Sequence, residues 1–221
     1  MSGFSNARQK MVDGQVRPSD VTDARIIDAM LAIPREQFVP DDKRGLAYLD
    51  LDLDVAAAGA AKRCLIKPAL LAKLLQAAEI KPTDRVLVAG CATGYSAAIV
   101  SRLAGQVVAT ESDPTLASKA AATLAELGCR NVKVSTAATA EGQAADVPYD
   151  VIVLNGATEI VPETLCGQLK DGGRLVGVLA TSRPQRATIV TRSHGDLGQR
   201  TLFDAAAPVL PGLERVPAFV F

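Results

Sequence analysis

The sequence contains no tryptophan, and aromatic residues make up only 4% of the chain. With so few large flat side chains, close packing of small residues is expected rather than a large aromatic pocket. Net charge is also absent, because 24 Lys and Arg residues balance 24 Asp and Glu residues. Proteins that bind nucleic acid or an anionic membrane surface usually carry excess positive charge, so neither partner is expected.

Long apolar runs are missing too. The longest, 55–61 and 86–89, fall far short of the roughly 20 residues that a membrane-spanning helix needs. The start of the chain has no charged segment followed by an apolar one, so no secretory signal is expected and the cytoplasm is the expected location. The four cysteines, at positions 64, 91, 129 and 166, show no C-x-x-C spacing, which favours buried, reduced thiols.

The 221 residues, of which 48% are hydrophobic, suffice for one well-buried domain. We therefore expect a single domain over 1–221, in which 1–60 form an N-terminal helical extension and loop. A helix is predicted over 19–31, with Ser19 or Asp20 as its N-cap.

From residue 69 onward, helical segments alternate with short apolar segments, which indicates repeated βα units on a parallel sheet. The predicted strands are 86–89, 106–110, 131–134, 149–154 and 174–180. The predicted helices are 69–78, 95–103, 114–127 and 162–169.

The pattern changes near the end of the chain. Segments 187–191 and 201–205 are strand-like and are separated by a turn at 193–198, so they form a hairpin that closes the sheet with an antiparallel strand. The single histidine, His194, falls in this turn, where a surface role is expected. The predicted fold is therefore α/β, with a Rossmann-like sheet of the class I S-adenosylmethionine-dependent methyltransferase type. An NAD-binding protein would usually show G-x-G-x-x-G and no closing hairpin.

A glycine turn at 90–94 (Gly-Cys-Ala-Thr-Gly), after the first predicted strand of the sheet, carries the candidate site. Small residues there allow a ligand to approach backbone N–H groups and the positive end of the following helix. Glu111 ends the next strand, where an acidic side chain commonly accepts hydrogen bonds from a ribose diol. The alternative is a tight structural turn beside a solvated Glu111. The candidate cofactor-binding residues are Gly90, Cys91, Ala92, Gly94, Glu111, Ser112 and Asn155.

The chain resembles the protein-L-isoaspartate O-methyltransferases over most of its length. Four segments carry the resemblance: 11–18 (Met-Val-Asp-Gly-Gln-Val-Arg-Pro), 33–40 (Ile-Pro-Arg-Glu-Gln-Phe-Val-Pro), 84–95 and 169–176 (Leu-Lys-Asp-Gly-Gly-Arg-Leu-Val). The first two are the more specific, because they lie outside the cofactor fold that methyltransferases share. The resemblance implies methyl transfer from S-adenosylmethionine to the side-chain carboxylate of isoaspartyl residues in damaged protein or peptide.

The chain departs from the family pattern at several positions. Aligned through Pro68, Ile66 replaces the serine that the family places at its reaction centre. Val88 replaces an acidic residue on the first strand, and Ala92 replaces the middle glycine of the turn. The pair 137–138, both alanine, stands where the family has Gly-Asp on the adenine side. No catalytic residue is therefore assigned, and a catalytically impaired or inactive methyltransferase-like binding or scaffold protein is the alternative function.

Two other groups of charged residues lie before the first long helix of the sheet domain. Arg63 and Lys67 flank Cys64 and could lower the pKa of its thiol, or could hold a carboxylate or phosphate ligand. Asp50, Asp52 and Asp54 would share one face of a strand, where they could attract a cation, although a solvated edge is the expected meaning. No metal site is predicted, and the oligomeric state is left open.

Overall fold

A computed structural model of the chain describes residues 3–216. The expected single domain over 1–221 extends past this range at both ends, and residues 1–2 and 217–221 lie outside the described residues. Within the range, the α-helices are α1 (Gly3–Met11), α2 (Ala24–Ala32), α3 (Pro68–Ala78), α4 (Tyr95–Ser101), α5 (Pro114–Glu126) and α6 (Glu163–Gly167). Among these residues, none of the helices combines the length and apolar character that crossing a membrane would take.

The strands form one small and one large sheet. The small sheet pairs β1 (Leu53–Asp54) with β2 (Cys64–Leu65) in antiparallel orientation. The large sheet contains β3 (Arg85–Ala89), β4 (Gln106–Glu111), β5 (Val132–Thr136), β6 (Tyr149–Thr158), β7 (Leu169–Leu179), β8 (Arg186–Ser193) and β9 (Asp196–Asp204). Its order is β5-β4-β3-β6-β7-β8-β9. Neighbouring strands from β5 through β7 in this order pair in parallel, and β8 pairs antiparallel with both β7 and β9. The α/β fold with an antiparallel end is thus confirmed.

Strand β3 lies at the centre of the large sheet, and its apolar sequence has a direct structural reason. Side chains alternate between the two faces of a strand, so Val86 and Val88 belong to one buried cluster while Leu87 and Ala89 belong to the other. A parallel strand covered on both faces must be apolar on both. The chain runs from β3 outward to β5 and then crosses to β6 on the other side, which places a topological switch point at the carboxyl end of β3.

The C-terminal hairpin has a shorter turn than expected. Strands β8 and β9 extend to Ser193 and Asp196, which pair with each other, so only His194 and Gly195 connect them. Both residues have positive φ, +52° and +92°, as a type I′ turn requires. His194 is exposed, in agreement with its expected surface position.

The predicted helix over 19–31 is wrong at its start. The structure begins this helix only at Ala24, because the Asp23 carboxylate accepts a hydrogen bond from the backbone N–H of Arg25 (2.9 Å) and so forms the N-cap. Ahead of it, α1 continues through a π-helical turn (Val12–Val16) and a 3₁₀ turn (Arg17–Ser19). Asp20 then adopts φ +62°, which ends the helical run.

Gly173 in β7 is packed too tightly for a side chain. A Cβ atom there would lie 2.9 Å from the carbonyl oxygen of Lys170 and 3.0 Å from that of Tyr149. We expect Gly173→Ala to lower the free energy of unfolding by about 1–3 kcal/mol, as overpacking typically does. Urea denaturation measures the change. Gly167→Ala is the matched control, because a Cβ at that exposed helical glycine meets nothing within 4 Å; equal losses in the two variants would contradict this account.

Candidate functional site

The glycine turn follows β3 and leads into α4, as predicted. Gly90 and Gly94 adopt positive φ values of +71° and +97°, which glycine tolerates without strain. Ala92 also has positive φ (+51°), an uncommon conformation for a residue with a Cβ atom. The turn is anchored to the neighbouring strand, since the N–H of Cys91 donates to the carbonyl of Thr110 (2.8 Å).

Glu111 ends β4 beside this turn, so the structure brings together the two features that the sequence marks. Its Oε2 accepts a hydrogen bond from the N–H of Ala92 (2.7 Å), and its Oε1 accepts from the N–H of Asp113 (3.1 Å) and the hydroxyl of Ser112 (3.3 Å). The carboxylate is fully buried. It is therefore not the solvated side chain expected if the turn were only structural. A buried carboxylate needs a partner, and neither interpretation of the sequence named one.

That partner is Arg63. Its Nε donates to Oε1 of Glu111 (3.0 Å) and its Nη2 donates to Oε2 (2.5 Å), which makes a bidentate ion pair. The two side chains are 4% and 0% exposed, so the pair is withdrawn from water. The small sheet positions Arg63, because its N–H donates to the Asp54 carboxylate (3.3 Å) and its carbonyl accepts from the N–H of Val55 (2.8 Å).

Leu210 covers the turn from the other side. A Cβ atom at Gly90 would lie 2.8 Å from Cδ2 of Leu210 and 3.1 Å from Nη2 of Arg63, so these two side chains already touch the glycine. Leu210 also packs against Gly156, where a Cβ would meet its Cγ at 2.8 Å. Asn155, beside Gly156, uses its amide to donate to the carbonyls of Gly90 (3.0 Å) and Cys64 (3.2 Å).

The neighbours of Glu111 and Gly90 bear on whether a nucleoside could bind there. The candidate residues converge as expected, but the carboxylate that would accept a ribose diol is paired with Arg63. Leu210 lies against Gly90. In this conformation side chains of the same chain therefore contact both Glu111 and Gly90.

The N-terminal segment 33–40 packs directly on the glycine turn. The hydroxyl of Thr93 donates to the carbonyl of Phe38 (2.5 Å), and the Phe38 ring meets the Tyr95 ring edge-on with centroids 5.6 Å apart. The buried guanidinium of Arg35 lies 4.6 Å from the centre of the Tyr95 ring. Its Nη2 donates to the carbonyl of Ile66 (3.0 Å), so this segment joins the turn to the aligned reaction-centre position.

The residues that depart from the family pattern are apolar or small where the structure places them. Ile66 and Val88 are buried members of one hydrophobic cluster. The N–H of Ala137 donates to the carbonyl of Glu111 (3.0 Å), so the 137–138 pair does lie beside the candidate site. No hydroxyl or carboxylate is supplied at these positions.

The cysteines of the site are protected rather than activated. Burial raises the pKa of the Cys64 thiol to about 11, despite the neighbouring cations, and burial also raises the pKa of Cys91. This direction agrees with the buried, reduced thiols expected from the sequence and not with an activated Cys64 beside Arg63 and Lys67.

This predicts a simple labelling pattern. Cys129 is partly exposed, whereas Cys64, Cys91 and Cys166 are buried. With iodoacetamide at pH 8, we expect Cys129 of the native protein to be alkylated at least 10-fold faster than the other three. Mass spectrometry of tryptic peptides measures the order, and labelling in urea is the control in which all four react. Equal rates at Cys64 and Cys129 in the native protein would show that Cys64 is accessible and ionised.

The acidic residues in and just before the small sheet bind backbone donors. Only Asp54 lies in a strand, so the three carboxylates do not share one strand face. Asp52 accepts from the N–H of Lys67 (3.0 Å), at the start of α3, and Asp54 accepts from that of Arg63. Over residues 3–216 there is no cluster of His, Cys, Asp and Glu side chains arranged to hold a metal ion.

The sheet order, the glycine turn and the strand-terminal acid define a fold of the class I S-adenosylmethionine-dependent methyltransferases. A family model described as protein-L-isoaspartate(D-aspartate) O-methyltransferase matches residues 6–206. The chain belongs to this family.

Relatives of similar length support the assignment. A protein-L-isoaspartate O-methyltransferase of Koribacter versatilis is 37% identical over 92% of this chain and 90% of its own length. One from Rhodopseudomonas palustris is 38% identical over 92% and 93%. A solved protein-L-isoaspartate O-methyltransferase superposes with a TM-score of 0.83 at 28% identity, covering 94% of this chain and 67% of that one. A second structure, from Plasmodium falciparum in complex with S-adenosyl-L-homocysteine, has a TM-score of 0.76 at 16% identity, covering 95% and 99%, and shows the fold alone.

Sequence reasoning identified the turn, Glu111 and Asn155, but it missed Leu210 and the pairing of Arg63 with Glu111. Leu210 lies in an irregular segment with no hydrophobic periodicity. Arg63 is 48 residues from Glu111 in sequence. The suggestion that Arg63 could hold a carboxylate ligand was the one indication of a carboxylate partner.

Proposed function

We propose that this protein is a protein-L-isoaspartate O-methyltransferase, which transfers the methyl group of S-adenosylmethionine to the side-chain carboxylate of isoaspartyl residues in damaged proteins. The products are a carboxyl methyl ester and S-adenosylhomocysteine. The observation that carries the proposal is the extent of the family match, which covers 6–206 and so includes the N-terminal segments as well as the shared sheet.

The geometry of the N-terminal segments adds support. Thr93 in the glycine turn bonds to Phe38, and Arg35 bonds to the backbone at Ile66. The part of the chain that distinguishes this family from other methyltransferases thus contacts both the turn and the aligned reaction centre.

The proposed cofactor-binding set remains Gly90, Cys91, Ala92, Gly94, Glu111, Ser112 and Asn155. Hydrogen bonds already connect most of its members: Ala92 and Ser112 donate to Glu111, and Asn155 donates to Gly90. Arg63 and Leu210 contact two of these residues, Glu111 and Gly90. We assign no catalytic side chain.

The proposed substrate is a protein or peptide carboxylate. Neither nucleic acid nor a membrane is proposed as a partner, since positive and negative charges balance. We propose one domain in the cytoplasm and leave open whether it forms an oligomer.

The second candidate is an impaired or inactive methyltransferase-like binding protein. Two observations favour it: an aliphatic side chain, Ile66, is buried at the aligned reaction centre, and Arg63 occupies the carboxylate of Glu111. The two candidates share the fold and differ in turnover.

The test is methyl transfer from S-[methyl-³H]adenosylmethionine to a peptide that contains one isoaspartyl residue. The control peptide has the same sequence with a normal aspartyl residue. We expect base-labile methyl ester on the isoaspartyl peptide only. Incorporation into neither peptide, at enzyme concentrations that would reveal one turnover, would reject the enzyme and leave the binding protein.

A further inference from the structure

One peptide unit ahead of α3 is held at both of its polar groups by charged side chains. The carbonyl of Ile66 accepts a hydrogen bond from Nη2 of Arg35 (3.0 Å), and the N–H of Lys67 donates to the carboxylate of Asp52 (3.0 Å). Because a peptide unit is planar, fixing its carbonyl and its N–H fixes the orientation of the whole plane. The side chains of Ile66 and Lys67 are attached at its two ends, so these two hydrogen bonds determine where both side chains lie.

The guanidinium of Arg35 is itself firmly held. Arg35 is 1% exposed, and its Nε donates to the carbonyl of Ala47 (2.8 Å). The guanidinium also lies 4.6 Å from the centre of the Tyr95 ring, and Tyr95 begins α4 directly after the glycine turn. Arg35 therefore fixes the distance between the 66–67 peptide and the glycine turn.

The two side chains carry charges that suit the groups they bind. The positive guanidinium of Arg35 lies on a carbonyl oxygen and the negative carboxylate of Asp52 lies on an N–H, so each charge meets the end of the peptide dipole with the opposite sign. Hydrogen bonds that involve a charged partner are shorter and stronger than neutral ones. Burial lowers the pKa of Arg35, and the charge of Asp52 is among those that oppose this shift. The pair thus holds the peptide while offsetting part of a buried positive charge.

We propose that Arg35 and Asp52 are positioning residues for methyl transfer. They act through the 66–67 peptide and not through contact with the substrate, because they hold the aligned reaction-centre segment at a fixed place relative to the glycine turn. This inference rests on the proposed function and adds to it the residues that set its geometry. A displacement of about 1 Å at a reacting centre can cost about 100-fold in rate, so loosening this peptide should affect turnover more than cofactor binding.

The test uses Asp52, because the loss of Arg35 would remove a donor from the carbonyls of both Ala47 and Ile66 deep in the fold. Asp52→Ala removes the acceptor of the Lys67 N–H. We expect kcat for ³H-methyl transfer to the isoaspartyl peptide to fall at least about 10-fold, while KM for S-adenosylmethionine stays within about 2-fold of wild type. Asp52→Asn keeps an oxygen that accepts this hydrogen bond, so its kcat should stay within about 3-fold of wild type.

Asp23→Ala is the matched control. The Asp23 carboxylate accepts from the N–H of Arg25 (2.9 Å) at the start of α2, so the variant loses the same kind of helix-start hydrogen bond. The N–H of Asp23 donates to Gln76 (3.1 Å) in the last turn of α3, whereas the 66–67 peptide precedes the first turn. Its melting temperature should fall as in Asp52→Ala, with kcat within about 2-fold of wild type. An equal loss of kcat in Asp23→Ala would show that general loosening lowers the rate, and an equal loss in Asp52→Asn would show that the hydrogen bond is not the cause; either result overturns the inference.

A second measurement does not depend on activity. Hydrogen–deuterium exchange of the peptide covering 64–69 should be faster in Asp52→Ala than in wild type, because the Lys67 N–H loses its acceptor. Exchange in Asp52→Asn and in Asp23→Ala should match wild type. An unchanged exchange rate in Asp52→Ala would overturn the inference even if kcat fell.

The outcomes separate this inference from the proposed function. If the wild-type protein forms methyl ester and Asp52→Ala keeps the wild-type kcat, the positioning role is rejected and the methyltransferase function stands. If the wild-type protein forms no methyl ester on the isoaspartyl peptide, the function is rejected and the positioning role with it. A kcat that falls in Asp52→Ala alone, together with faster exchange over 64–69, supports both.

Discussion

Glu111→Ala is expected to lower the free energy of unfolding by about 3–5 kcal/mol, because it leaves the Arg63 guanidinium buried without a counterion. The backbone N–H groups of Ala92 and Asp113 lose an acceptor at the same time. The sequence alone would predict a ligand-binding defect in a stable protein. The buried ion pair changes that expectation. Urea denaturation followed by circular dichroism measures the effect.

Two variants test the cause. Combining Glu111→Gln with Arg63→Met removes both charges while keeping an amide oxygen for the backbone donors, and we expect it to be at least about 2 kcal/mol more stable than Glu111→Ala. Asp204→Ala removes a partner of the exposed pair with Arg186 and should cost no more than about 1 kcal/mol. A loss below about 1 kcal/mol in Glu111→Ala would show that Arg63 reaches water once it is released.

Features with local signals could be predicted from the sequence. The βα repeat, the position of the glycine turn and the acid at the end of β4 each depend on residues within one strand and its flanking turn. Strand β3 is apolar on both faces because both are covered, and its sequence shows this directly. The closing hairpin could also be predicted, because its two strands and its turn are adjacent in sequence. Its turn, however, consists of only two residues, His194 and Gly195.

Features that depend on distant contacts could not be predicted. The short pairing of β1 with β2 places Arg63 on Glu111, and no periodicity reports a two-residue strand. Leu210 reaches Gly90 because its backbone bonds to the end of β6, which only the folded chain reveals. The start of α2 differs from the predicted one because Asp23, and not Ser19 or Asp20, caps it. In each case a single tertiary or capping contact selects one of several conformations that the local sequence would allow.

Isoaspartyl methyl transfer by the wild-type protein is expected to be about 100-fold or more below an ordinary turnover of roughly 1 s⁻¹. Ile66 supplies no hydroxyl to position a carboxylate, and its side chain is buried in a hydrophobic cluster. Loss of one positioned polar group at a reacting centre typically costs about 100-fold in rate. Initial rates of ³H-methyl transfer at saturating S-adenosylmethionine measure the turnover number directly.

The dependence of the rate on cofactor concentration distinguishes slow chemistry from poor cofactor binding. If Ile66 limits the chemical step, kcat is low even at saturating S-adenosylmethionine, whatever the value of KM. A wild-type kcat near 1 s⁻¹ would show that the alignment through Pro68 misplaces the reaction centre, or that another side chain near Ile66, such as Lys67, positions the substrate.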